Sequence, residues 1–377
     1  MLFRKVKKTG DELSILGFGC MRLPTLGTTE NIDEPEAVRM LRYSIDHGVN
    51  YVDTAYPYHG GTSETVVGKA LKDGYREKVK VATKMPCWLV EKPEDLDRLF
   101  EEQLQRLGVD FIDFYLLHNL NKDHYQIMQN VDGFGWAEKK RDEGLIRHLG
   151  FSFHDEFPLF KRVIDEHDCW EFCKIQYNYM DIGYQAGREG LKYAAEKGLG
   201  IIIMEPLKGG QLALNPPPDP VKALWDKSGT SKSPAAWALQ WIWNHPEVSL
   251  ILSGMSTMEQ VLENIQIAGE SSAGMLDGED LKLFDEVAET FRTLSPVPCT
   301  KCNYCIPCPE KVHIPWIFHL YNETQMYGTP DAARGAYRWL APEKKADNCV
   351  ECGQCEEKCP QNIEIIEWLK KAQEVLS

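Results

Sequence analysis

Along residues 1–295, short apolar runs rich in β-branched residues alternate with stretches whose apolar positions recur at helical spacing. The runs predict strands at 13–20 (LSILGFGC), 50–54 (NYVDT), 79–84 (VKVATK), 111–118 (FIDFYLLH), 146–152 (IRHLGFS), 173–177 (CKIQY), 200–205 (GIIIME) and 248–254 (VSLILSG). Helical spacing covers 34–47, 63–72, 93–107, 158–166, 185–197 and 233–244. Alternation repeated this often argues for a parallel sheet, whose strands need crossovers and take them as helices. About eight strands suit a closed (β/α)8 barrel. A doubly wound open sheet is the alternative, weakened because no G-x-G-x-x-G turn follows the first strand. Ahead of the barrel, 3–19 reads as a hairpin with a tight TGDE turn, and 211–220 (QLALNPPPDP) as a rigid loop between the seventh and eighth strands.

The pattern changes at 293–299 (TLSPVPC), where prolines end a last helix and cysteines begin to recur. The expected division is a barrel over 1–295 and a small domain over 296–377. Cys299, Cys302, Cys305 and Cys308 follow one another at steps of three, and Cys349, Cys352, Cys355 and Cys359 form CVECGQCEEKCP (349–360). The second run has the C-x2-C-x2-C-x3-C-P spacing of bacterial ferredoxins. Three thiolates on one tight loop can cap three iron corners of a cubane, and the fourth corner must be met from elsewhere. Resemblance to two-cluster ferredoxins implies two [4Fe–4S] clusters with exchanged fourth ligands. One set is then Cys299, Cys302, Cys305 and Cys359, the other Cys349, Cys352, Cys355 and Cys308. The first run has two rather than three residues before Cys308, which departs from the pattern. Helical patterns at 314–326 and 330–340 make this domain mainly α-helical and ferredoxin-like. Zinc and disulfides are the alternatives. Zinc ribbons pair two C-x2-C knuckles, whereas each run here has four near-equal steps. Disulfides are disfavoured in a reducing compartment. Cys20, Cys87, Cys169 and Cys173 match no pattern and read as buried thiols.

Composition narrows the partners. The 377 residues carry a net charge of −15, which disfavours nucleic acid and anionic membrane. No apolar run is long enough to span a bilayer, and the basic start MLFRKVKKTGDEL has no apolar stretch behind it. A cytoplasmic location is expected.

Three predicted strands end on polar residues: Asp53, Lys84 and His118, with Tyr58 in the loop after the first. In a (β/α)8 barrel the carboxyl ends of the strands face the active site, so these groups would converge. Each alone has a plain explanation: a solvated lysine, a satisfied histidine, a capping aspartate. Together they are harder to dismiss. VDTAYPYHGGTSETVVGKAL (52–71), VATKMP (81–86) and DFYLLHNL (113–120) resemble the signatures of the aldo/keto reductase family, with one extra residue near 59–62. The resemblance covers 1–295 and, with the cysteine-rich tail, points to an iron–sulfur dicluster branch of that family. It implies a nicotinamide-dependent carbonyl reductase or alcohol dehydrogenase with Tyr58 as proton donor and Asp53, Lys84 and His118 as its partners.

The same resemblance implies that Ser152 and Gln176 hydrogen-bond the nicotinamide carboxamide. Met204 takes the position of a stacking aromatic, Gly254 lies near the pyrophosphate, and Glu263 and Asn264 face the adenine. Gly254 and Gln260 stand where many members have cations for a 2′-phosphate, so NADP and NAD both remain open. Lys208 and Lys232 are substitute cations or solvated loop lysines. Trp88, Asn119, Trp136 and Tyr179 line the pocket or belong to the core. Direct electron exchange between a hydride carrier and one-electron clusters is chemically awkward without a two-to-one-electron converter. The clusters therefore serve an external redox protein, sense redox state or hold structure. A redox sensor or electron-transfer subunit that keeps the barrel as a nucleotide pocket is the alternative function.

Overall fold

The computed structural model describes residues 1–377. β1 (Phe3–Lys5) and β2 (Glu12–Ser14) pair antiparallel, with Phe3 opposite Ser14, and form the expected hairpin. Eight strands follow: β3 (Leu16–Gly19), β4 (Tyr51–Asp53), β5 (Lys80–Met85), β6 (Ile112–Leu120), β7 (Ile146–Phe153), β8 (Phe172–Gln176), β9 (Gly200–Met204) and β10 (Leu250–Ser253). They form a closed barrel in which β10 pairs with both β9 and β3, all parallel. That closure excludes the open sheet. The run 13–20 divides: Leu13 and Ser14 belong to the hairpin, and the barrel strand starts at Leu16.

The six predicted barrel helices form close to the expected limits, for example Glu34–Asp46 and Glu94–Leu107. Lys122–Asn130 and Gly133–Asp142 between β6 and β7 were not foreseen, nor was Asp219–Lys227 just after the proline run. The first of these is strongly polar, with only Tyr125 and Met128 buried. Its start is set instead by Asn121, whose side chain accepts from the Asp123 and His124 amides.

Alternation along the barrel strands places one residue phase inward. Tyr51, Ala82, Phe114, Leu116, Phe172, Ile202, Leu250 and Leu252 form one buried cluster with Val6 and Leu13 of the hairpin. The apolar floor therefore comes from the amino-terminal part of each strand, closed beneath by the hairpin. Continuing the same phase toward the carboxyl ends reaches Asp53, Lys84, His118, Lys174 and Gln176. A polar upper layer above an apolar lower one is the arrangement that puts chemistry at the mouth of such a barrel.

Packing divides the chain into two compact units, Met1–Lys208 with Ala236–Leu276 and Gly209–Ala235 with Asp277–Ser377. The second is mainly helical. In it Asp219–Lys227 meets Gly278–Thr293 through Trp225 and Phe284, with ring centroids 5.3 Å apart. Ile314–Tyr327, Pro330–Trp339 and Ile365–Leu376 surround a core that includes Ile317, Phe318, Tyr337 and Leu369. Six of the cysteines in the two runs pack against that core. No helix is long and apolar enough to cross a membrane.

Candidate active site

β4 ends on Asp53, and β5 carries Lys84 one residue before its end. The Lys84 Nζ donates to Asp53 Oδ1 at 2.8 Å and also to the Thr54 carbonyl. Both side chains are almost wholly enclosed, at 1% and 2% exposure, so this pair is not softened by solvent. The same ammonium lies 4.8 Å from the Tyr58 ring centroid, and the His118 ring stands 6.1 Å from that of Tyr58. Tyr58 opens a tight turn over Tyr58–Gly61. There His59, Gly60 and Gly61 take φ of 52°, 63° and 92°, which absorbs the extra residue of this loop. The structure thus brings the four predicted residues together.

Their electrostatics follow from burial. Removal from water raises the Tyr58 phenol, and the Lys84 ammonium opposes that rise. Burial first, then the Lys84 and Lys174 ammoniums, holds the His118 imidazole well below its usual value, so it is neutral near pH 7. His118 Nδ1 is buried with no hydrogen-bond partner, and the Trp88 ring lies 5.0 Å away. Trp88 therefore borders the site. Trp136 does not: its indole donates to Asp97 and it packs on Phe100. Tyr179 is 2% exposed and packs on Trp241, which makes it a core residue.

Sequence reasoning passed over Lys174. It sits mid-strand in β8, paired in register with Ser152 on one side and Ile202 on the other. Its Nζ donates to Asp53 Oδ1 at 2.9 Å, so one carboxylate oxygen serves two buried ammoniums. Burial pushes Lys174 down to about 7; Asp53 opposes this and Lys84 adds to it. The signal was available, because Lys174 lies two residues before Gln176 and shares its inward phase. Burial raises Asp53, but Lys174 and Lys84 outweigh it and leave the carboxyl below its usual range.

The residues assigned to a dinucleotide occupy the ends of β7 to β10 and the helix after them. Ser152 Oγ accepts from the Asn119 amide at 2.8 Å, which leaves its own hydrogen free to donate. Gln176 Nε2 donates to Asp181, and Met204 is half-buried at the end of β9. Gly254 follows β10, and a Cβ there would meet the Arg22 side chain at 3.2 Å. Arg22 is thus a cation at this rim that the sequence reading did not consider. Gln260 Oε1 accepts from the Ser256 amide, and Asn264 Nδ2 donates to Ser253 Oγ. Glu263 is exposed on the helix Met258–Gly269. Lys208 is no free cation, since it pairs with Asp181 at 2.9 Å. A hydroxyl donor, a carboxamide and a side-chain-free strand end fit a dinucleotide laid across the barrel mouth.

In the helical unit, one pocket is lined by Cys305, Cys308, Cys349, Cys352 and Cys355. It contains the four thiols expected to share a cluster, Cys308 among them. Burial raises the Cys299 thiol, with smaller contributions from nearby Cys302 and Cys359. Cys359 is thus near enough to Cys299 for their charges to interact, as Cys355 is to Cys305. The donor chemistry fits iron–sulfur clusters, since thiolates are the ligands they take. Cys20, Cys87, Cys169 and Cys173 are buried, as expected.

A closed parallel barrel with an enclosed tyrosine–lysine–aspartate–histidine group at its mouth, continued by a cysteine-rich helical module, defines a barrel oxidoreductase with an iron–sulfur domain. Comparison with known proteins agrees. Residues 15–289 match the aldo/keto reductase family, and residues 298–364 match the 4Fe-4S dicluster domain. The chain belongs to the aldo/keto reductase family. It is similar to L-galactose dehydrogenase of Arabidopsis thaliana, 29% identical over 315 residues, which span 78% of this chain and 96% of the relative. Among solved structures it is similar to the holo form of aldo-keto reductase AKR11C1 from Bacillus halodurans. That likeness has a TM-score of 0.62 at 27% identity, covering 76% of this chain and 96% of the other. The thermostable aldo-keto reductase Tm1743 also has a TM-score of 0.62, at 26% identity, covering 76% of this chain and 100% of its own.

Proposed function

We propose that this protein reduces an aldehyde or ketone, or oxidises the corresponding alcohol, with NADP or NAD as hydride carrier and Tyr58 as proton donor. The observation that carries this is the enclosed Lys84–Asp53 pair, 2.8 Å apart, with its ammonium beside the Tyr58 ring. Ser152 and Gln176 would hold a nicotinamide, which would supply the hydride for the carbonyl carbon. The chain's own residues do the rest. His118, held neutral, donates a hydrogen bond to the carbonyl oxygen and polarises it. Tyr58 then gives its proton to that oxygen as charge develops there. A phenol is a poor acid near pH 7, and the Lys84 charge stabilises the phenolate left behind. Asp53 keeps Lys84 charged and aimed.

Arg22 beside Gly254 supports a site for the dinucleotide's phosphates, in place of the cations absent at Gly254 and Gln260. The two cysteine sets support two [4Fe–4S] clusters with exchanged ligands; such clusters would carry single electrons, for which an external redox protein is a fitting partner. Reduced thiols and a strongly acidic chain suit a cytoplasmic setting without nucleic acid as partner.

The test is Tyr58→Phe. Steady-state aldehyde reduction should fall by roughly a thousandfold or more, while NADPH or NADH still quenches tryptophan fluorescence with near wild-type affinity. A variant that retains most of its kcat overturns the assignment of the acid. Bleaching of the clusters by NADPH without aldehyde turnover would favour the electron-transfer subunit instead.

A further inference from the structure

Two ammoniums and one carboxylate meet in a closed space beneath Tyr58. Lys84 and Lys174 each place Nζ within hydrogen-bond distance of Asp53 Oδ1, at 2.8 and 2.9 Å, and the three side chains are 1%, 4% and 2% exposed. If both lysines are protonated the group carries one uncompensated positive charge, which a low-dielectric interior tolerates poorly. Lys84 has a second acceptor in the Thr54 carbonyl and lies against the Tyr58 ring. It is the better held of the two. Lys174 reaches the same oxygen from the far wall of the barrel, so it is the lysine that gives up its proton first.

The consequence for the reaction runs through Asp53. With Lys174 neutral, the Asp53 charge is spent on Lys84 alone, and the ammonium facing Tyr58 is largely cancelled. With Lys174 protonated, Asp53 is divided between two cations and Lys84 acts on the phenol as a less neutralised charge. A positive field stabilises the phenolate that forms when Tyr58 delivers its proton. We propose that Lys174 is a positioning residue for the carbonyl reduction: by sharing Asp53 with Lys84, it makes proton delivery from Tyr58 depend on its own protonation. This rests on the reading of Tyr58 as the acid.

The groups whose charges couple to this cluster come from several strands. Asp53 and Lys84 act on Lys174 directly. Cys20 after β3, His118 of β6 and His154 after β7 feel its charge. Burial, with the Lys174 and His124 charges, holds His154 down at about 4, and His118 is likewise neutral near pH 7. Burial, with Asp53, raises the Cys20 thiol, so it stays neutral too. Lys174, lowered to about 7, is therefore the member of the cluster that changes charge near neutrality.

The experiment uses the full, cluster-loaded protein with NADPH or NADH and 4-nitrobenzaldehyde as probe. The kcat of the wild type should fall as pH rises through about 7. Lys174→Met should lack that inflection and show a kcat lowered roughly tenfold near pH 6, with KM little changed. In protein labelled at lysine Nζ, one 15N resonance, absent from Lys174→Met, should titrate near neutrality. A Lys174→Met protein that keeps the wild-type inflection and rate, beside an inactive Tyr58→Phe, overturns the role of Lys174 alone. A Tyr58→Phe protein that keeps its turnover overturns the parent reading and this one with it. Should Lys174→Met fail to fold, the wild-type spectrum decides: if every lysine Nζ resonance stays protonated to about pH 10, the ordinary lysine range, the proposal is overturned.

Discussion

At the scale of single residues, Asp53 is the keystone of the site. Asp53→Asn leaves the buried Lys84 ammonium without its anion and removes the charge that favours protonation of Lys174. Breaking a buried ion pair from one side costs about 3–5 kcal/mol, and a urea melt should show a loss of that order. Lys174→Met should do the opposite. The folded value of Lys174, about 7, lies below its unfolded value of 10.5. The folded state therefore binds this proton more weakly than the unfolded chain. The resulting penalty is complete below about pH 7 and fades as pH rises toward that of the free side chain. Removing the amine should thus stabilise the protein by about 1–3 kcal/mol near pH 6, with the gain vanishing in alkali. Lys84 still satisfies Asp53 Oδ1 in that variant. His118→Gln should leave the shape of the pH profile around neutrality unaltered, because burial and the nearby ammoniums keep the imidazole it replaces neutral there.

At the scale of elements, the barrel helices are held at close quarters by small residues. Gly68 lies in the helix Ser63–Ala70, where an added Cβ would stand 2.6 Å from the Leu107 carbonyl oxygen and 2.8 Å from that of Arg106. Backbone oxygens at the end of Glu94–Leu107 cannot step aside like the tip of a side chain. Gly68→Ala should therefore destabilise the barrel by about 1–3 kcal/mol in a urea titration, although alanine is the better helix former. Most elements were legible from periodicity, since helix faces and strand runs must be apolar wherever they meet the core. Lys122–Asn130 was not, because its few apolar residues are outnumbered and its cap carries the information. The β8 run CKIQY misled in another way. In a half-exposed sheet the polar phase faces water, but here both faces are covered and the polar phase points into the barrel. Gln176 was noticed through its motif, and Lys174 on the same phase was passed over.

At the scale of the whole molecule, two chemistries reside in one chain. Anaerobically reconstituted protein should hold about eight irons and eight sulfides. Cys359→Ser should perturb the cluster served by Cys299, Cys302 and Cys305 more than its own sequence neighbours. Electron paramagnetic resonance of the reduced protein would separate the two signals. Loss of the cluster of the Cys349 run instead would mean that each run keeps its own fourth ligand. The amino-acid sequence by itself determined the strand–helix alternation, the eight cysteines and the three polar residues at successive strand ends with Tyr58 in the loop after the first, because periodicity and motif spacing are local properties of a chain. Only the tertiary structure brought Lys174 of β8 against Asp53 of β4 and laid Arg22 beside Gly254. Those neighbours are far apart in sequence, and the closure of the barrel, which no local pattern encodes, sets the distance between them.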